Sequence, residues 1–274
     1  MKIVAGTALA AAMVLVSVSA GAQTTLYDQN FESPNTPPGF INNGQDVSAQ
    51  TVNELYGGQP AGFQFAQDFT VETLRIGGNL SFGGQGYDDP AGIAGQYVIG
   101  FLSSAQDDLL GLSFNVGTFD FLNLRADISS IDLSCCGGPF VPTGTLASIP
   151  IFRFSLFDNP GGGTGVRTGL ALDSFDVTGL INPSSNSLLF FEALGGLDAT
   201  GSTNGNVILR IDLLQGGYAV LDNLRVVASD VEGEVVVGGV PEPASWAMML
   251  LGFGAIGATL RRARRKRGAA LAVG

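Results

Sequence analysis

Between residues 23 and 228 the chain is a succession of short apolar runs separated by Gly, Asn, Asp and Pro. Two of them, Phe63-Gln64-Phe65-Ala66-Gln67-Asp68-Phe69 and Ile151-Phe152-Arg153-Phe154-Ser155-Leu156-Phe157, alternate with a period of two. In an extended chain that period sets most of the aromatic rings on one face. Strands are predicted over Thr25–Phe31, Phe63–Ile76, Asn79–Phe82, Tyr97–Leu102, Leu112–Val116 and Phe119–Leu124. Further strands are predicted over Ile128–Leu133, Ile151–Phe157, Leu170–Val177, Ser187–Leu194, Val207–Leu213 and Tyr218–Val227. No segment of the body carries a long apolar stripe of helical period. Many short strands with turn residues at close intervals predict an all-β fold over 23–228, one antiparallel β-sandwich that is jelly-roll-like. A β-helix would need a fixed-period repeat, which the chain lacks. Residues 229–240, SDVEGEVVVGGV, hold no aromatic side chain and read as a linker.

The two ends follow a different pattern. Residues 1–22 open with Lys2, continue through the apolar run Ile3–Val18 and reach Ala20-Gly21-Ala22. A basic start, an apolar middle and a small-x-small close predict a secretory signal peptide cleaved after Ala22, hence export across the inner membrane of a Gram-negative cell. At the other end, residues 244–260 carry no charge and are followed by a basic cluster, 261–267, and a short tail, 268–274. As a helix the uncharged run is about 25 Å long, near the lower limit for a transmembrane helix. Trp246 marks its outer edge, and the cluster Arg261, Arg262, Arg264, Arg265, Lys266 and Arg267 acts as a positive-inside, stop-transfer signal. The body is then expected outside the membrane and the tail in the cytoplasm.

Charge sharpens this division. Residues 23–240 hold six basic residues, all Arg, against 23 acidic ones, a net of −17; residues 241–274 hold six against one, a net of +5. So acidic a body excludes nucleic acid as a partner, because phosphates require Lys and Arg to neutralise them. The chain has no His, and its lysines are Lys2 and Lys266. Schiff-base chemistry, imidazole bases and most zinc chemistry are thereby excluded from the body.

Pro241-Glu242-Pro243, then Trp246-Ala247, a short apolar helix and an arginine cluster resemble the PEP-CTERM sorting signal, in the variant where PEP is followed by WA. The resemblance covers residues 241–267. It implies that Pro241, Glu242, Pro243, Trp246 and Ala247 form the sorting motif, read by a membrane exosortase that cuts near the tripeptide and passes the body to the cell surface or extracellular matrix. An ordinary single-span anchor would instead remain attached.

The remaining chemistry is sparse. Cys135 and Cys136 are adjacent, so they cannot staple distant segments; a vicinal disulfide, two free thiols or pairing with another chain remain, and a structural use is expected. Carboxylates such as Asp88-Asp89, Asp107-Asp108, Asp173 with Asp176, and Asp212 with Asp222 admit turn, Ca²⁺-binding or catalytic readings. Asn30-Phe31-Glu32 in the first strand and Leu221-Asp222-Asn223-Leu224 in the last are similar to the opening and closing strands of jelly-roll carbohydrate-binding modules. That resemblance implies a calcium ion flanked by Glu32 and Asp222. A sugar-stacking face needs exposed planar rings, and Tyr56 and Tyr87, in Gly-rich surroundings, are the candidates for a glycan-binding site. The sequence as a whole points to an exported, non-enzymatic surface or matrix protein associated with extracellular polysaccharide. A carboxylate-dependent glycan hydrolase or lyase, and a self-associating coat or adhesion protein, are the alternatives.

Overall fold

The structure, a computed structural model, describes residues 22–35, 56, 64–68, 72–76, 88–102, 109–130, 144–163, 169–183, 187–235 and 253. The predicted signal peptide up to residue 21, the predicted strand 79–82, Cys135 and Cys136, the sorting motif, the predicted span 244–260 except Phe253, and the basic cluster lie outside these residues. Among the described residues no helix is long and apolar enough to cross a membrane.

The body, Gly21–Val235, is all-β and built from two antiparallel sheets. Its strands are β1 (Gln23–Gln29), β2 (Gln64–Asp68), β3 (Glu72–Arg75), β4 (Tyr97–Leu102), β5 (Leu109–Asn115), β6 (Phe121–Ser130), β7 (Ile151–Asp158), β8 (Ala171–Thr178), β9 (Phe191–Asp198), β10 (Asn206–Gln215) and β11 (Tyr218–Ser229). One sheet runs β3-β4-β11-β6-β9 with β1 also on β11; the other runs β2-β5-β10-β7-β8. The long β11 organises the first sheet. Its first residues, Tyr218–Leu221, pair with β4, and Leu224–Ser229 pair with β1, while β6 lines the opposite side along almost its whole length. Among the described residues, the edge strands are β1, β3 and β9 in the first sheet and β2 and β8 in the second.

Period-two alternation explains which face is buried. In β7, Phe152, Phe154 and Leu156 are buried, and in β10 Val207, Leu209, Ile211 and Leu213 are. These residues share one core with Leu122, Leu124, Ala126 and Ile128 of β6 and Leu221, Leu224 and Val226 of β11, so the sheets pack face to face. Phe101 of one sheet meets Phe152 of the other edge-on, with ring centroids 5.5 Å apart. Gly195 of β9 is needed for the same reason: a Cβ there would overlap the ring of Phe175 on β8.

Several strand limits differ from the sequence expectation. The run 63–76 is two strands in different sheets, β2 and β3, because the chain crosses between layers. Phe119–Leu124 and the described part of Ile128–Leu133 merge into β6, since Arg125 and Asp127 lie on the outward parity while Ala126 enters the core; residues 131–133 lie outside the described residues. The strand expected at 187–194 is shifted to β9, and Ser187 lies before it in an isolated bridge to Asp88. The linker also starts later than 229. Ser229 is paired within β11, and the Asn123 side-chain amide donates to Ser229 Oγ and the Val231 carbonyl, both at 2.9 Å. Its oxygen accepts the Gly233 N–H at 2.7 Å. One buried amide thus binds the chain as it leaves the sheet.

Candidate functional site

The end-to-end placement of β1 and β4 beside β11 creates a junction where acidic side chains gather. After β1 the chain turns at Phe31, φ 54°, with the Gln29 side chain accepting the Phe31 N–H at 3.0 Å and Asn30 accepting the Glu32 N–H at 3.3 Å. This turn directs the Glu32 carboxylate at the start of β4. Both of its oxygens accept the Gln96 N–H, at 2.8 and 2.9 Å, and one also accepts the Tyr97 N–H at 3.1 Å. Gly95, φ +55°, admits this approach, since a Cβ there would overlap the carboxylate.

Across the junction β11 is bulged between Asp222 and Arg225, with Asn223 at φ 49°. A bulge re-aims a side chain that regular pairing would leave on the sheet face. Here Asn223 donates to Asp127 Oδ2 at 2.9 Å and to the Ile93 carbonyl at 3.2 Å. Asp222 is 1% exposed. Its Oδ1 accepts the Asn223 N–H at 2.7 Å, whereas Oδ2 is buried without a hydrogen-bond partner. Burial pushes its pKa up to about 8 against the opposing Asn223 N–H, and the charges of Glu32, Asp127 and Asp89 add to the rise. The structure therefore brings Glu32 and Asp222 to one junction and adds Asp127 and Asp89, which spacing along the chain did not connect. Among the described residues, no group of three or more acidic, Cys or His side chains converges as metal ligands. A cation shared by Asp222 and Glu32 would draw its remaining ligands from carbonyl oxygens or water.

A second feature lies on the outer face of the five-stranded sheet. A groove of about 470 Å³ is lined by Arg153, Ser155 and Phe157 of β7, residues 171–174 of β8 and Arg210 of β10. Alternation places these β7 and β10 side chains opposite the buried set. Arg153 donates twice to Asp176, at 2.7 and 2.9 Å. This pairing holds the Asp176 carboxyl below the usual carboxylate range and raises Arg153 further. The Arg210 guanidinium sits 4.7 Å from the centroid of the Phe157 ring. The sequence expectation named Tyr56 and Tyr87 as the stacking rings and did not single out Phe157 or this groove. The available signal was parity: Phe157 is in step with Arg153 and Ser155, out of step with Phe152 and Phe154.

Tyr56 is not part of a sugar-binding face. It is 1% exposed, shares a 2.8 Å hydrogen bond with the Thr73 hydroxyl, and meets the Phe31 ring edge-on at 5.2 Å. Its aromatic surface is spent on the core beside the acidic junction. Tyr87, the other candidate, lies outside the described residues. Of the other carboxylates, Asp173 accepts the N–H groups of Ser174 and Asp198, at 2.8 and 2.9 Å, linking the edges of the two sheets. Asp107 and Asp108 lie outside the described residues.

Residues 239–266 match the PEP-CTERM protein-sorting motif, in agreement with the signal expected over 241–267. No curated protein matches the chain. Among solved structures, the body is similar to the K3 cleaved adhesin domain of Lys-gingipain from Porphyromonas gingivalis w83, at 12% identity and TM-score 0.38, covering 75% of this chain and 99% of that one. It is also similar to the xylan-binding domain CBM22-1 of Paenibacillus barcinonensis Xyn10C, at 9% identity and TM-score 0.34, covering 78% and 99%. A cyclase from Fischerella sp. TAU gives 16% identity and TM-score 0.39, covering 77% and 99%. None of these similarities is close enough to transfer a ligand or an activity.

Proposed function

We propose that the chain is an exported, non-enzymatic protein of the cell surface or extracellular matrix, delivered through its PEP-CTERM signal by an exosortase, whose jelly-roll body holds extracellular polysaccharide. The sorting motif at 239–266 supports delivery. In this reading the C-terminal helix holds the body at the inner membrane until the tail is cut. The intact mass of protein recovered from the surface should then lack residues beyond about Pro243, and retention of 244–274 would favour a permanent anchor.

The observation that carries the binding role is the groove on the five-stranded sheet. Sugar rings require a flat, partly apolar surface flanked by fixed donors and acceptors. Phe157 with Arg210, and Arg153 oriented by its two hydrogen bonds to Asp176, provide these on one sheet. The charges of that pair are compensated and the body is strongly acidic, so neutral polymers suit it better than polyanions. Calcium has a stabilising place in this reading: the unpartnered Oδ2 of Asp222 fits a hard cation, with Glu32, whose charge acts on Asp222, as the second carboxylate.

The test is to incubate surface-recovered protein, with Ca²⁺, with the host's own extracellular polysaccharide and to follow protein retention and polymer size. Retention without shortening is expected. Shortening would make the protein a hydrolase or lyase, and self-association without retention would make it a coat protein.

A further inference from the structure

We propose that the exported body begins at Gln23 and that its new α-amine closes onto its own side-chain amide, giving a pyroglutamyl end and a mature body with no primary amine. Two independent boundaries meet at this residue. The run Ala20-Gly21-Ala22 places the cleavage point after Ala22. In the structure β1 starts at Gln23, set opposite Ser229 at the end of β11, while Ala22 is exposed and outside the pairing. The bond to be cut thus lies at the very end of the ladder, with Ala22 outside it.

The closure is intramolecular and balanced. The uncharged α-nitrogen attacks Cδ of the Gln23 carboxamide, the N–Cδ bond forms and the Cδ–Nε2 bond breaks. The departing nitrogen takes the proton shed by the α-nitrogen and leaves as ammonia, so no oxidant, reductant or second substrate is needed. A terminal α-amine has an ordinary pKa of about 7.7–8.0, so a usable fraction is uncharged near neutrality. The lactam keeps an amide N–H, the kind of donor a sheet accepts, without the charge.

The composition gives this closure an unusual consequence. The two lysines, Lys2 and Lys266, lie outside 23–240, so the α-amine of Gln23 is the only primary amine the body would possess. Once it is closed, aminopeptidases have no free end to grip. The aldehyde ends of reducing sugars also lose the amine needed for Schiff-base condensation. The inference does not depend on the groove binding polysaccharide.

The full chain is exported from a Gram-negative host, recovered from the surface or medium, and treated at harvest with an amine-specific N-hydroxysuccinimide ester before digestion and tandem mass spectrometry. The expected first peptide starts at residue 23, is lighter than its sequence by one ammonia, and no peptide within 23–240 carries label. Gln23→Ala, which leaves the small-x-small run intact, should carry one label, at its α-amine. A labelled Gln23 of full mass would overturn the closure. A mature end at another residue would overturn the cleavage premise, and the mass distinguishes the two failures.

Discussion

Phe152 and Phe157 lie on one strand, and the structure assigns them opposite fates. Phe152 is fully buried, edge-on to Phe101 at 5.5 Å and stacked with Phe154 at 6.4 Å. Phe157 is half-buried on the outer face beneath Arg210. Truncating a buried phenylalanine removes its transfer free energy and leaves a cavity, about 3–5 kcal/mol in all. In a body of this size each kcal/mol moves the melting temperature by about 2–4 °C, so Phe152→Ala should lower it by about 6–20 °C. Phe157→Ala loses a cation–π contact of about 0.5–1 kcal/mol at an exposed site, a shift of about 1–4 °C. Thermal unfolding followed by circular dichroism, with urea titration as a second measure, separates the two. The same pair should invert in the binding assay: Phe157→Ala loses retention on polysaccharide, whereas any folded Phe152→Ala protein keeps it. Equal destabilisation, or a larger loss at Phe157, would refute the assigned inward and outward parity of β7.

Three further outcomes are expected. Gly195→Val should destabilise the body by about 1–3 kcal/mol, because a Cβ at this position overlaps the Phe175 ring, and the combined change Gly195→Val with Phe175→Leu should recover part of the loss in urea unfolding. Asp158 has a pKa held below the usual range by the Thr203 hydroxyl, then by the Thr203 N–H and the Ser202 hydroxyl. Because its folded-state pKa is the lower one, this contribution is present above the ordinary carboxylate range and is lost as pH falls through the depressed value. Thr203→Val should therefore lower the urea midpoint at neutral pH and converge on the unaltered protein in acid; a constant gap would reject the linkage. Finally, Ca²⁺ at one hundred times its dissociation constant should stabilise the protein by about 2.7 kcal/mol, and chelation should remove that gain. Asp222→Asn should melt alike in chelator and in excess Ca²⁺, while an unaltered protein indifferent to both would reject the cation.

The all-β class, the alternation within β7 and β10, and the placement of β1 and β11 at opposite ends of one chain segment were legible because they depend on local period and order. The sorting signal was legible for a related reason: a tripeptide, an apolar run and an arginine cluster are read as a linear address. The strand limits were less so. Nothing within Phe63–Ile76 says that its halves enter different sheets, and nothing beside Arg125 and Asp127 says that β6 continues through them. Those decisions belong to partners far along the chain.

The candidate sites divide in the same way. Sequence by itself determined the export address, the acid excess and the absence of histidine and body lysine, while a resemblance, not the spacing, pointed to Glu32 and Asp222 together. Only the tertiary structure decided that Asp127 and Asp89 join them, that Tyr56 is spent on packing, and that Phe157 faces a groove with Arg153 and Arg210. The physical reason is that a side chain's polarity and period select its face, whereas cross-strand register and the bulge at Asp222 select its neighbours. Register is settled by the summed burial of both sheets, which no single segment contains.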